Sequence, residues 1–142
     1  MTKSYYTQGG VVLDEYIAWD YSSPGISLNI VSGRITIFKS TLTALGYPEF
    51  FRFRFSPEDR IFGLEPCDID DAGAVHLPVN IIQEYYEIRC MDLVRFVYRI
   101  CGWQKRLTYR IAGKLYSPET RLVYFDLRSA YEIHKGRVLN SE

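Results

Sequence analysis

From residue 26 onward polar and apolar residues alternate: Ile26, Leu28 and Ile30 are separated by Ser27 and Asn29. A period of two predicts a half-buried strand. Ser32-Gly33 supplies a tight turn, and Ile35 and Ile37 carry the alternation back, so the stretch predicts a hairpin. The period then changes. Leu42 and Leu45 stand three apart, which predicts a short helix over about Lys39–Leu45. Gly46 suits a left-handed helix cap, and Pro48 bars continuation. Phe51, Phe53 and Phe55 next point one way, with Arg52 and Arg54 on the other face. After a turn at Pro57, residues 61–65 return as a strand, and Pro66 ends it.

The second half repeats this order. Residues 67–80 read as a connector. Tyr86, Ile88 and Cys90 then alternate with Glu87 and Arg89. Leu93, Val94, Val97, Ile100 and Cys101 fall on one face of a helix over about Met91–Cys101, with Asp92, Arg95 and Arg99 opposite. Gly102 ends that helix as Gly46 ends the first. Strands are expected at about 107–111, 114–116 and 121–127. Outside the two units, residues 1–9 are a polar, Tyr-rich lead-in and 11–21 have strand content. The polar tail from His134 is expected to fray.

The likeness extends to individual residues. Leu45-Gly46-Tyr47 corresponds to Cys101-Gly102-Trp103. Counted from the glycines, Phe51, Phe53, Arg54 and Phe55 match Leu107, Tyr109, Arg110 and Ile111. Ser56-Pro57-Glu58-Asp59-Arg60-Ile61 corresponds to Ser117-Pro118-Glu119-Thr120-Arg121-Leu122, which the second copy reaches five residues later. A unit recurring within a small chain is expected to pack on its sister, because neither copy can bury its apolar face alone. The expectation is an α+β fold of mostly antiparallel strands with two short helices. Residues 1–142 would form one domain, with internal repeats at about 26–66 and 81–127.

Composition sharpens this picture. Twelve tyrosines, eight phenylalanines and two tryptophans favour sheet. Net charge is zero, yet residues 1–80 hold six Lys/Arg against ten Asp/Glu and residues 81–142 hold eleven against seven. The halves are thus −4 and +4 and can attract each other. A dedicated nucleic-acid binder usually carries a basic excess instead. Cys67, Cys90 and Cys101 have no metal-ligand spacing and read as reduced structural thiols of a cytoplasmic protein, with Cys90 and Cys101 buried. The sequence contains neither an apolar run near 18 residues nor a signal-peptide pattern, so membrane insertion and secretion are not expected.

The ordered series Gly33-Arg34-Ile35-Thr36-Ile37-Phe38-Lys39, Leu42, Leu45-Gly46 and Ile61 to Pro66 resembles the swapped-hairpin family of AbrB transition-state regulators, SpoVT regulators and MazE antitoxins. The match covers roughly residues 26–66. Phe38 stands where that family has proline, and Tyr86-Glu87-Ile88-Arg89 is the nearest second-copy equivalent of its Gly-Arg-Ile turn. The whole chain also resembles small bacterial proteins for which the likeness supplies no activity. In the family, two chains exchange hairpins to build one barrel. The resemblance therefore implies a tandem pseudo-twofold swapped-hairpin-like barrel in which the second copy replaces the second chain. It further implies a DNA-binding transcriptional regulator or antitoxin-like protein, with Arg34 and Lys39 on phosphates. Strand alternation adds Arg52 and Arg54 to that nucleic-acid-binding face.

Other constellations are weaker. Arg95 and Arg99, four apart with Lys105 and Arg106 just beyond, suit an acidic partner or a phosphate, although a solvated face is the simpler expectation. Asp68, Asp70 and Asp71 with Cys67 and His76 approach a metal cluster but lack a full calcium-loop pattern. Tyr47 and Trp103 follow the capping glycines in equivalent places, which favours closing each helix against the sheet over stacking on bases. No catalytic motif is present, and the histidines, His76 and His134, lie in a connector and near the tail. The chain is therefore expected to be non-catalytic, with no cofactor and no metal. The alternative to a regulator is a protein-interaction module of the same fold that does not bind DNA. The expected partners are double-stranded DNA on the first reading and, on the second, a protein engaged by tyrosines in residues 1–21.

Overall fold

The computed structural model describes residues 10–13, 16–19, 23–78, 85–134 and 137–138. The lead-in over 1–9 lies outside the described residues. Residues 11–21 do not form one strand: β1 (Gly10–Leu13) and β2 (Tyr16–Trp19) make a separate antiparallel hairpin.

The expected hairpin is β3 (Gly25–Asn29) and β4 (Arg34–Phe38), with Leu28 opposite Ile35 and Ile26 opposite Ile37. Its turn is locked by Asn29, whose Oδ1 accepts from the Ser32 N–H at 3.0 Å. Gly33 completes the turn at φ 68° and lies so close to α2 (Met91–Cys101) that an added Cβ would stand 2.9 Å from Met91 Cα. The chain continues as α1 (Lys39–Leu45), β5 (Phe50–Ser56), β6 (Ile61–Pro66), β7 (Val75–His76) and β8 (Tyr85–Arg89). After α2 come β9 (Thr108–Leu115), β10 (Val123–Asp126), β11 (Tyr131–His134) and β12 (Arg137–Val138).

Both helices end alike. Gly46 and Gly102 are left-handed, at φ 81° and 66°. The Tyr47 N–H donates to Leu42 O and the Trp103 N–H to Tyr98 O, each at 3.0 Å. These bonds satisfy carbonyls the helix cannot reach itself. The two Ser-Pro-Glu turns also agree, each ending on a left-handed arginine, Arg60 at φ 54° and Arg121 at φ 57°.

Strand pairing gives the order β7-β5-β6-β10-β9-β3-β4-β8, with β11 added to β9 and β12 to β11. All these pairs are antiparallel. The sheet curls into a half-barrel, and α1 lies against β3, β4, β6, β8, β9 and β10. Ile26, Leu28, Ile35, Ile37, Leu42, Phe51, Phe62, Val97, Ile111 and Phe125 are wholly excluded from solvent in one core. Thr41 is buried with them. Its hydroxyl donates to Gly25 O and accepts from the Gly25 N–H, both at 2.7 Å, which fastens α1 to β3 without an unmet polar group.

Several expectations change. Residues 107–111 and 114–116 are not two strands: β9 runs unbroken through Gly113, because the Phe125 ring of β10 occupies the space over that glycine. The connector contributes β7, which pairs with the start of β5. In the tail, expected to fray from His134, β12 pairs back on β11, and residues 139–142 lie outside the described residues. On α2, Tyr98 is buried with Val94 and Val97, whereas Cys90 and Cys101 are only half-buried.

Candidate functional site

The four cations of the expected nucleic-acid face divide into two groups. Arg52 and Arg54 lie two apart on β5, on one face of the strand. Register places Arg52 directly opposite Glu65 on β6. Arg52 Nε donates to Glu65 Oε1 at 2.8 Å and Arg54 Nη1 to the same oxygen at 2.6 Å. Burial raises the Glu65 pKa, but these two hydrogen bonds outweigh it and hold the carboxyl below its ordinary value. The hydrogen bond to Glu65 likewise raises the Arg52 pKa.

Arg34 and Lys39 lie elsewhere. In the sheet, β4 is five strand spacings from β5, about 24 Å measured along it. Arg34 opens β4, faces Arg89 of β8 in register, and its Nε stands 3.5 Å from the Glu87 carboxylate. Lys39 is exposed at the start of α1, about 17 Å further along the chain direction. The structure thus brings Arg52 to Arg54 and does not bring Arg34 or Lys39 to that pair. A hairpin centred on residues 57–60 already places Glu65 across from Arg52, and that was the sequence signal for the shared carboxylate.

In the acidic connector, Asp71 Oδ2 accepts from the Asp68 N–H at 2.9 Å, and the Asp71 N–H donates to Asp68 O at 3.0 Å. The His76 ring packs on Phe50, with centroids 5.2 Å apart. Among the described residues no three His, Cys, Asp or Glu side chains are grouped as metal ligands. The side chain of His134 and the tyrosines at 1–21 lie outside what the structure describes.

A groove of about 700 Å³ lies between the β3–β4 turn and the C-terminal half of α2. That volume is within the usual range for ligand sites. Ile30, Val31 and Trp103 give it an apolar wall, while Arg95, Arg99 and Lys105 give it a cationic one. No carboxylate among the described residues lines it. Trp103 is placed by the Gly102 cap, which turns the chain back beside α2. Its indole stacks on Tyr109 at 4.2 Å and meets the edge of Tyr98 at 5.2 Å. Trp103 therefore packs at the helix end as expected, whereas Tyr47 is 45% exposed and does not close its helix. The Tyr98 hydroxyl donates to Leu107 O at 2.6 Å, and burial pushes its pKa well above the ordinary value. Arg99 lies over the Phe96 ring at 5.2 Å. The spacing of Arg95 and Arg99 was legible in the sequence. The contribution of Ile30 and Val31 was not, because it depends on the turn docking against Met91.

A second hollow of about 340 Å³ lies beyond Trp103 and includes Arg60, Cys101 and Glu132. Burial pushes the Cys101 thiol up, more than the nearby Arg60 charge lowers it, so the thiol stays protonated at neutral pH.

The fold is α+β, mostly antiparallel, with two helices on a curled sheet. No family model, curated protein or solved structure matches the chain. No helix among the described residues is long and apolar enough to cross a membrane.

Proposed function

We propose that this chain is a non-catalytic binding protein that acts through protein contacts rather than by holding duplex DNA on Arg34, Lys39, Arg52 and Arg54. The observation that carries this reading is Glu65. One carboxylate engages both Arg52 and Arg54, Arg34 lies five strands away on β4, and Lys39 is on a helix rather than the sheet. Phosphate contact needs several free cations spaced along one face. In the groove beside α2 the charged groups are two guanidiniums and an ammonium, which bind anions but supply neither general base nor nucleophile.

The same proposal takes the architecture to be a tandem swapped-hairpin-like barrel. Matching helix caps and matching left-handed arginines support it. So does a reciprocal exchange: Arg121 Nη1 donates to Ala44 O at the end of α1, while Arg60 lies by Cys101 at the end of α2. Counted from the two arginines, Phe62 corresponds to Val123 and Leu64 to Phe125. Register pairs Phe62 with Phe125 and Leu64 with Val123, so exchanging the copies reproduces the same pairs about Gly63 and Tyr124.

The test is binding of the purified chain to mixed genomic duplex fragments at low and moderate salt. The expected outcome is no binding even at low salt. Binding that weakens steeply with salt, and weakens further in Arg34→Ala with Arg54→Ala, would sink the proposal and support the regulator reading.

A further inference from the structure

We infer that the groove beside α2 receives the acidic turn at Asp68–Asp71 of a second copy of this chain. This inference rests on the binding-protein reading above and names the partner. The groove pairs an apolar wall with three cations, and no acidic side chain is within ion-pair distance of Arg95, Arg99 or Lys105 among the described residues. Its rim residue Val31 is 75% exposed. Such a surface fits an anionic segment that carries one aliphatic anchor.

The chain itself presents that segment. Asp68, Ile69 and Asp70 are all exposed, and Ile69 is 66% exposed between the two carboxylates. The backbone is already ordered there by the Asp68 and Asp71 bonds and by the Ala74 N–H donating to Asp71 O at 3.2 Å. A preformed turn loses little conformational freedom on docking. Val31 and Ile69 are the most exposed large aliphatic side chains among the described residues, one beside cations and the other beside carboxylates. The turn belongs to the half of the chain with charge −4, and the three cations of the groove belong to the half with +4. With zero net charge, copies do not repel one another as they approach. A duplex would meet the same three cations. It would also meet an aliphatic wall and a protein without basic excess, so the observations favour the acidic turn.

Each copy carries one groove and one turn. Reciprocal insertion gives a twofold dimer, and insertion in one direction gives a ring or chain. In either case contact is lost when one element is reversed in charge, and returns when complementary variants meet.

The experiment is sedimentation of the full chain across a concentration series at low and moderate salt. It compares wild type, Arg95→Glu with Arg99→Glu, Asp68→Lys with Asp70→Lys, and an equimolar mixture of the two double variants. All four positions are exposed, so the variants are expected to keep the wild-type far-ultraviolet circular dichroism. Ile69→Ser is a charge-neutral check on the anchor. Wild type should self-associate, less so at higher salt, and each double variant should associate roughly tenfold more weakly or worse. The mixture should regain association. A wild type that stays monomeric at low salt overturns the inference, as does self-association that neither double variant weakens. Monomeric protein that also fails to bind duplex fragments removes this occupant and leaves the binding-protein reading standing. Monomeric protein whose duplex binding needs Arg95 and Arg99 removes both.

Discussion

Glu65 shows how one side chain couples this sheet to pH. Its pKa in the folded chain is held below the ordinary 4.5 because Arg52 and Arg54 stabilise the carboxylate more than burial penalises it. A group whose folded pKa is depressed contributes stability above its unfolded pKa and loses it as pH falls through the folded one. The window therefore opens near pH 4.5 and extends downward. Asp126 behaves similarly, because the hydrogen bond from Arg128 lowers its pKa more than burial raises it. Glu65→Gln is expected to lower the urea midpoint slightly at neutral pH and to make no difference well below pH 4.5. Arg54 is mostly exposed, so solvent keeps the effect small. Urea melts of wild type and variant down the acid range check this, and a gap that widens with acid would contradict it.

At the scale of elements, two buried glycines on the strands that flank β10, Gly63 on β6 and Gly113 on β9, make a controlled comparison. A Cβ at Gly113 would stand 2.4 Å from the Phe125 ring and 2.8 Å from Tyr124 O. A Cβ at Gly63 would meet nothing closer than 3.5 Å. Gly113→Ala should therefore cost about 2 kcal/mol or more through overpacking. Gly63→Ala should be near neutral or slightly stabilising, since it narrows the unfolded ensemble. Thermal melts of the two variants decide it, and equal losses would mean that the ring over Gly113 yields freely. The same glycine limits what alternation reveals. Ala112-Gly113 interrupts the pattern of β9, which suggested two strands, but the missing side chain is supplied from β10. Both helices were legible to the residue, because the Leu and Val spacing and the capping glycines are local signals. The two-residue β7 and the tail strands were not, because each is defined by a partner far away in sequence. Tyr98 was missed as core for a related reason: its hydroxyl is satisfied by Leu107 O, beyond the end of its own helix.

For the whole molecule, strand order is the decisive fact. Along the sheet β5 and β6 come from the first half, β10 and β9 from the second, β3 and β4 from the first and β8 from the second. The strands of each half are split into separate blocks, β7-β5-β6 and β3-β4 from the first and β10-β9 and β8 from the second. Fragments 1–78 and 79–142 should each lack a cooperative unfolding transition, and mixing them should restore one. A half that melts cooperatively by itself would show that the interleaving is not needed for stability. The interleaving is also why the site was only partly legible. The resemblance supplied Arg34 and Lys39 and strand alternation supplied Arg52 and Arg54, and the four lie on β4, at the start of α1 and on β5. Whether they share a face depends on four strands lying between β5 and β4, and no local pattern reports that.

The pairing of β3 with β9 has a consequence for how the chain is made. Leu28 opposes Tyr109 and Ile26 opposes Ile111, about 80 residues later. At a synthesis rate of roughly 5–20 residues per second, β3 emerges some 4–16 s before its partner exists. The β3–β4 hairpin spends the first part of that interval with both outer edges open, until β8 emerges to pair with β4, and the rest with the β3 edge open. Emergence of β9, rather than of the first hairpin, is then the moment when this protein can close its core.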